Sequence, residues 1–457
     1  MKLKITLLIL VCLGITSCSK WHYGDHKEDE DPKDNEEKYN EIIVEEGANG
    51  QHGKISLSPN EVVVTYDGVD AIRKTEIRDS ITTEYPGLEI LKCDCGSDDI
   101  EMWQFDPATP NVEAIIEGVV DRLPRRNPRG RIEGEQSFIV SLPEMPPYVA
   151  QGQSGGEPAF IAPRDENSVN IAILDTGIDY FRPELTSSDR NVLFPSGDFT
   201  GCISTQSGWN FTQDNQDILD ENGHGTYVTK IITDILDAEE TPVNYQILPL
   251  KVFDSEGKGS YWNILCALTY VKSINENGGN IHIVNASFGG AVDRAYFSSD
   301  DNIFAHLLGE LNDLGVLVTT SAGNAGRDND SGPEGHFLSS YRTKNMLTVA
   351  GYNYIEGDTG DPQLHEKSNF GNESVQVAMA FNGYEVILGY PSGLDDLVKL
   401  EGTSYSTGAM TALAAIVYRE TGVVSEGLKS AILSLPIVSY SPNLDGKIEE
   451  GRVILRE

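Results

Sequence analysis

The 457-residue chain carries 71 Asp and Glu against 34 Lys and Arg, a formal net charge of −37 at pH 7. That balance excludes a nucleic-acid binder, because phosphate recognition needs clustered basic side chains. It describes a soluble, self-repelling surface. The length accommodates one large α/β domain and a smaller one beside it.

The chain opens on Lys2 and Lys4 and an apolar run from Ile5 to Ile15, too short to stand as a permanent membrane span. The run ends Leu13-Gly14-Ile15-Thr16-Ser17-Cys18, the pattern of a processing signal. Small residues directly before a cysteine resemble a bacterial lipobox. The resemblance implies a signal peptide over residues 1–17 and Cys18 as the lipid-modified N-terminus of the mature protein. The alternative is an ordinary cleaved secretion signal that happens to hold a cysteine. Behind it, the run from His26 to Glu37 is too charged to bury. Residues 18–50 therefore read as an acidic tether. The expected location is a bacterial membrane, as an anchored lipoprotein facing the periplasm or the cell surface.

Residues 51–142 read as strand, helix, strand, strand, helix, strand. The elements are Glu61 to Tyr66, Val69 to Glu84 closed by Pro86-Gly87, Leu88 to Leu91, and Ile100 to Trp103. Val112, Ile115, Ile116, Val119 and Val120 follow at helical spacing, and Ser137 to Leu142 ends the set. This order is the split βαβ unit of a small α+β domain. Between the second helix and the last strand, Arg122 to Arg131 forms a basic island, either an exposed charge-balancing loop or a protease-sensitive site. Residues 143–167 form a linker.

Beyond Cys12 in the signal and Cys18, the cysteines are Cys93, Cys95, Cys202 and Cys266, which allow three pairings. Cys93 and Cys95 are too close for an unstrained mutual disulfide, and as a zinc half-site they lack a second pair. Cys266 falls on the apolar face of a helix and reads as a small core residue.

From residue 168 to the C-terminus, near-continuous apolar strands alternate with helices: Val169 to Leu174, Ile247 to Val252, Ile281 to Asn285 and Gly315 to Thr320. Strands of this kind are covered on both faces, so the fold class is α/β with a doubly wound, mainly parallel sheet. Function in such sheets gathers at the carboxyl ends of the strands. Three polar blocks lie there. Asp175 ends a strand before Thr176-Gly177. His224 stands between Gly223 and Gly225 at the head of a helix. Ser404 follows Gly402-Thr403 at the start of a helix whose N-terminal amides favour developing negative charge. Singly, each would be an ordinary turn or core residue.

The order Asp, His, Ser in these contexts resembles the subtilisin-like serine peptidases, the subtilase family, over roughly Asn170 to Arg452. The resemblance implies Ser404 as nucleophile, His224 as the base that later protonates the leaving amine, and Asp175 as the orienting carboxylate. It further implies that Asn324, in Ser321-Ala322-Gly323-Asn324, and the Ser404 amide form the oxyanion hole. Ser287, Phe288, Gly289 and Gly290 would pair with an extended substrate, and Ser321, Ala322 and Gly323 would border its pocket. With no acid in Asn285 to Gly290, that pocket is expected to be apolar or tolerant. The small domain resembles the family's inhibitory propeptide, whose tail lies in the active site; a permanent accessory domain is the alternative.

The chemistry implies no cofactor and no metal, with structural calcium left open; Asp328 to Gly332 is a hint of it or a polar loop. The implied partners are protein or peptide substrates and, through the lipid, a membrane. The chain is expected to be a monomer. It departs from the family at Gly408, where Pro is common, at Tyr227, Thr229 and Lys230 after the histidine, and at Phe181-Arg182-Pro183-Glu184. These departures motivate a competing reading, a peptide-binding lipoprotein that uses the same fold. An α/β-hydrolase esterase is a poorer match, because the serine motif lacks the closing glycine of that nucleophile elbow.

Overall fold

Five strands without a polar face build the centre of the computed structural model, which describes residues 39–46, 54–93, 99–109, 115, 131–155, 158, 160–187, 190–199, 207–297, 302–389 and 395–456. β6 (Val169–Asp175), β8 (Tyr245–Lys251), β10 (Ile281–Ala286), β12 (Leu317–Ser321) and β14 (Met346–Tyr352) are buried at every position and pair in parallel. β7 (Trp209–Asn210), β15 (Val377–Ala380), β18 (Val438–Tyr440) and β19 (Arg452–Ile454) complete a nine-stranded sheet, antiparallel only at its β18–β19 edge. Successive side chains leave opposite faces of a strand, and β6 shows it. Ile171 and Ile173 pack under helices α2 (His224–Asp237) and α5 (Thr403–Thr421), with α6 (Ser425–Leu433) beside them. Ala172 and Leu174 pack under α3 (Tyr261–Glu276) and α4 (Ile303–Asp313). The sheet is doubly wound, as its apolar strands require.

The small N-terminal domain has the expected order. β2 (Lys54–Asp67), α1 (Ala71–Glu84), β3 (Glu89–Lys92), β4 (Ile100–Gln104) and β5 (Arg131–Ser141) form an antiparallel sheet, strand order β3-β4-β2-β5. Ile115 is helical, whereas the rest of the expected second helix and the basic island up to Gly130 lie outside the described residues. A fifth strand comes from the larger domain: β9 (Lys258–Ser260) pairs antiparallel with Ile139, Val140 and Ser141 of β5. Phe138 is stacked on Tyr261 at 4.7 Å and meets Phe337 edge-on at 5.0 Å.

Cys93 is bonded to Cys266 on α3, across 173 residues of chain. This corrects the reading of Cys266 as a free core cysteine: spacing along the chain is silent about a pairing made between domains. Cys18, Cys95 and Cys202 lie outside the described residues. The bond also means that cutting the linker would not by itself part the two domains.

A second correction concerns the tether. Residues 39–46 are not solvated spacer. β1 (Tyr39–Glu45) pairs in parallel with β17 (Asp395–Glu401), which pairs antiparallel with β16 (Tyr384–Leu388). Val44 is buried in one core with Val398 and Leu400. Among the described residues no helix is long and apolar enough to cross a membrane.

Two outcomes follow for the domain interface. Cys93→Ala should lower stability by about 2–5 kcal/mol, read by denaturant unfolding. A protease cut confined to residues 143–167 should leave both fragments in one band until reductant is added. Glu135 accepts hydrogen bonds from the Tyr261 hydroxyl (2.6 Å) and the Ile303 amide (2.8 Å), and burial pushes its carboxyl up to about 7. A raised acid stabilises the fold below its unfolded pKa, and that contribution fades as pH rises through the folded one. Stability should therefore fall between about pH 4.5 and 7 by at most ~3 kcal/mol. Glu135→Gln should flatten that slope in melting curves.

Candidate active site

Asp175 is the last residue of β6, and its Oδ1 accepts the Thr176 amide at 2.7 Å. The chain then turns through Gly177 at φ +112°, a conformation that costs a side-chain-bearing residue dearly. His224 opens α2 behind Gly223, which is left-handed at φ +103°. The Asp220 carboxylate holds that turn, accepting from the amides of Asn222 (2.9 Å), Gly223 (2.8 Å) and Thr226 (2.9 Å) and from the Thr226 hydroxyl (2.7 Å). Gly225 lets α2 approach Asp175 closely: a Cβ there would run into the Gly177 carbonyl and the Asp175 side chain. With the two backbones that near, His224 Nδ1 lies 2.8 and 2.9 Å from the two Asp175 oxygens, fully buried.

Ser404 is the second residue of α5, a helix with no side-chain N-cap. Its hydroxyl donates to the Ser287 carbonyl at 2.9 Å, and the Ser287 hydroxyl donates back to the Ser404 carbonyl at 3.1 Å. Asn324 follows β12 through Ala322 and Gly323. Its Oδ1 accepts from the Thr403 amide (2.9 Å) and hydroxyl (2.8 Å), which turns Nδ2 outward as a donor. The structure thus brings together Asp175, His224, Ser404, Asn324 and the Ser287 to Gly290 edge.

It also brings in a residue that sequence reading missed. Glu46, directly after β1, is 1% exposed. Its Oε1 accepts from His224 Nε2 at 2.8 Å and its Oε2 from Asn324 Nδ2 at 2.6 Å. It follows the apolar stretch Ile42-Ile43-Val44 in a segment read as tether, and only the β1–β17 pairing carries it here. Burial pulls the His224 pKa down, but Asp175 and Glu46 on either side outweigh it and raise it well above the usual value. The ring therefore donates from both nitrogens. Asp220 and Thr403 were missed as well; the Asx-turn spacing of Asp220 to Asn222 was the available signal for the first.

Beside Asn324 lies a pocket of about 140 Å³, whose lining includes Gly290, Arg327, Glu334, His336 and Asn369. His336 fills the space between Gly289 and Gly323, where a Cβ on either would overlap its ring. Burial pushes it down to about 4, so it is neutral. The pocket's lining mixes apolar and polar atoms, and its charged and polar side chains come from segments that the short Asn285 to Gly290 stretch does not contain.

The departures have structural partners. Arg182 is fully buried, donating to Asp179 Oδ2 (2.8 Å), the Tyr148 hydroxyl (3.1 Å) and the carbonyls of Gly389 (3.0 Å) and Val149 (3.2 Å). Tyr227 packs edge-on against Tyr148 of the linker, and Lys230 pairs with Asp234. Gly408 faces Val228 and Ile231 at ordinary packing distance. In the Asp328 to Gly332 loop, Asp330 is held by Arg342 (3.0 Å) and the Glu373 amide (2.7 Å). Among the described residues no cluster of three or more His, Cys, Asp or Glu is placed to hold a metal.

A buried Asp–His pair thus stands at the carboxyl end of a doubly wound sheet, in one site with a serine at a helix N-terminus. The model of the subtilase family (Peptidase S8) matches residues 166–429, and the chain belongs to that family. It is 25% identical over 279 residues to a subtilisin-like protease of Coccidioides posadasii (60% of this chain, 59% of that one). It is 25% identical over 295 residues to the cell wall-associated protease of Bacillus subtilis (62% and 28%). The match to subtilisin-like protease 1 of Plasmodium vivax, at 24%, covers 46% of that relative, so the chain spans roughly half or less of the length of several such relatives. Among solved structures, a cold-adapted subtilisin-like serine proteinase aligns with TM-score 0.46 and 19% identity, covering 65% of this chain and 94% of its own.

Arg182→Leu should cost about 3–5 kcal/mol, since it leaves Asp179 buried without its cation; urea unfolding would measure it.

Proposed function

We propose that the chain is a serine endopeptidase, made as a self-inhibited precursor and carried on a lipid at Cys18 on a bacterial membrane, facing the periplasm or the cell surface. One observation carries the catalytic reading: the buried, two-oxygen grip of Asp175 on His224 Nδ1, which fixes the ring and leaves Nε2 as the nitrogen directed away from Asp175. A serine hydroxyl becomes nucleophilic only when a positioned base takes its proton. His224 is that base and Ser404 the nucleophile. Attack on a substrate carbonyl forms the Ser404–acyl bond through a tetrahedral intermediate. Its oxyanion is met by Asn324 Nδ2, oriented by Thr403, and by the Ser404 amide at the head of α5. His224 then protonates the departing amine, and water releases the acyl group by the same route in reverse. The substrate lies extended along Ser287 to Gly290, with the side chain before the cut in the pocket beside His336. No cofactor is needed, and the partners are proteins or peptides.

The N-terminal domain is read as a propeptide-like inhibitor. Its last strand pairs with β9, and Leu142 continues against Gly257, donating its amide to the Gly257 carbonyl at 2.8 Å. Tyr148 lies against Gly223, next to His224. This path along the cleft supports the reading.

An alkyl fluorophosphonate should label the wild type at Ser404 and leave Ser404→Ala unlabelled; equal labelling of both would overturn the assignment. In the activated enzyme, Asn324→Ala should lower kcat about 10²–10³-fold with KM little changed, as measured on a chromogenic peptide.

A further inference from the structure

The segment on the catalytic residues is not the tail of the N-terminal domain but the strand that precedes that domain. β1 lies on β17 over its full length, and the Glu46 amide donates to the Glu401 carbonyl at 2.8 Å. Val44 is buried, Lys367 holds Glu45 at 3.1 Å and Lys399 holds Glu41 at 3.0 Å. β17 runs straight into Gly402-Thr403-Ser404, so a strand laid along it delivers its next residue to the nucleophile. That residue is Glu46, and a side chain on Gly402 would collide with its carboxylate.

The consequences for the chemistry are specific. Glu46 Oε1 occupies His224 Nε2, the atom that must accept the Ser404 proton, and Ser404 is turned to the Ser287 carbonyl instead. Glu46 Oε2 occupies Asn324 Nδ2, where the oxygen of an acyl substrate would be received. What meets His224 and Asn324 is a side-chain carboxylate and not a peptide carbonyl, so the segment blocks the site without offering it a bond to cut.

We propose that β1 and Glu46 form a carboxylate latch that shuts the active site, separate from the propeptide-like tail along β9. The proposal rests on the catalytic reading of Asp175, His224 and Ser404. The latch is tied to the catalytic domain by a second covalent route besides the linker. β2 begins eight residues after Glu46, and its domain is bonded to α3 through Cys93 and Cys266. A cut in the linker therefore leaves the latch at high effective concentration beside its site. Opening requires β1 to peel from β17 or to be cut from it.

The test compares fluorophosphonate labelling rates of full-length wild type, Glu46→Ala, Val44→Asp and Ile43→Thr, a change of an exposed side chain on the same strand, with Ser404→Ala as blank and melting curves to verify folding. Val44→Asp loosens β1 from its core contacts without touching any group at the serine. Glu46→Ala and Val44→Asp should label at Ser404 at least tenfold faster than the wild type, with Ile43→Thr unchanged. Equal rates at Ser404 in the wild type, Glu46→Ala and Val44→Asp would overturn the latch and leave the peptidase reading intact. Folded proteins of which none labels would overturn both.

Discussion

The imidazole of His224, buried between two carboxylates, is the interaction on which the rest of the site depends. Asp175 reaches it from the end of β6 because Gly225 lets the helix approach the strand, and Glu46 reaches it from outside the domain because β1 extends the β16–β17 hairpin. A ring that donates from both nitrogens is well satisfied and therefore well placed, but it cannot take a proton. The same burial that would make His224 an effective base keeps it occupied while the second carboxylate is present.

The two domains are joined by three kinds of force. β5 adds β9 to the edge of its own sheet, so backbone hydrogen bonds cross the interface. Phe138, Tyr261, Tyr296 and Phe337 form an aromatic cluster at the seam, with offset and edge-on contacts that suit ring quadrupoles. The Cys93–Cys266 bond makes the association covalent. A domain meant only to be shed would need none of this last restraint. The chain thus keeps its N-terminal domain covalently bound to the larger one.

The Asp, His and Ser blocks were legible because each requirement is local. A carboxylate at a strand end, glycines around a histidine, and a serine at a helix start depend on neighbours within a few residues. The parallel sheet was legible for the same reason, since strands covered on both faces must be apolar throughout. The α+β order of the N-terminal domain was readable from periodicity, although its second helix lies mostly outside the described residues. The lining of the pocket beside Asn324 was not readable, because Arg327, Glu334, His336 and Asn369 meet there from separate segments.

What the sequence determined by itself was the chemistry available at strand ends and helix starts, through glycine placement and apolar runs. What only the tertiary structure decided was which groups meet across long stretches of chain: Cys93 with Cys266, Arg182 with Asp179 and the linker's Tyr148, and Glu46 with His224 and Asn324. Glu46 in a segment read as tether looks like any solvated carboxylate. Its role arises from the register of β1 on β17, which is set by the burial of Val44 and by Gly402 leaving room at the serine, and no local pattern encodes such a register.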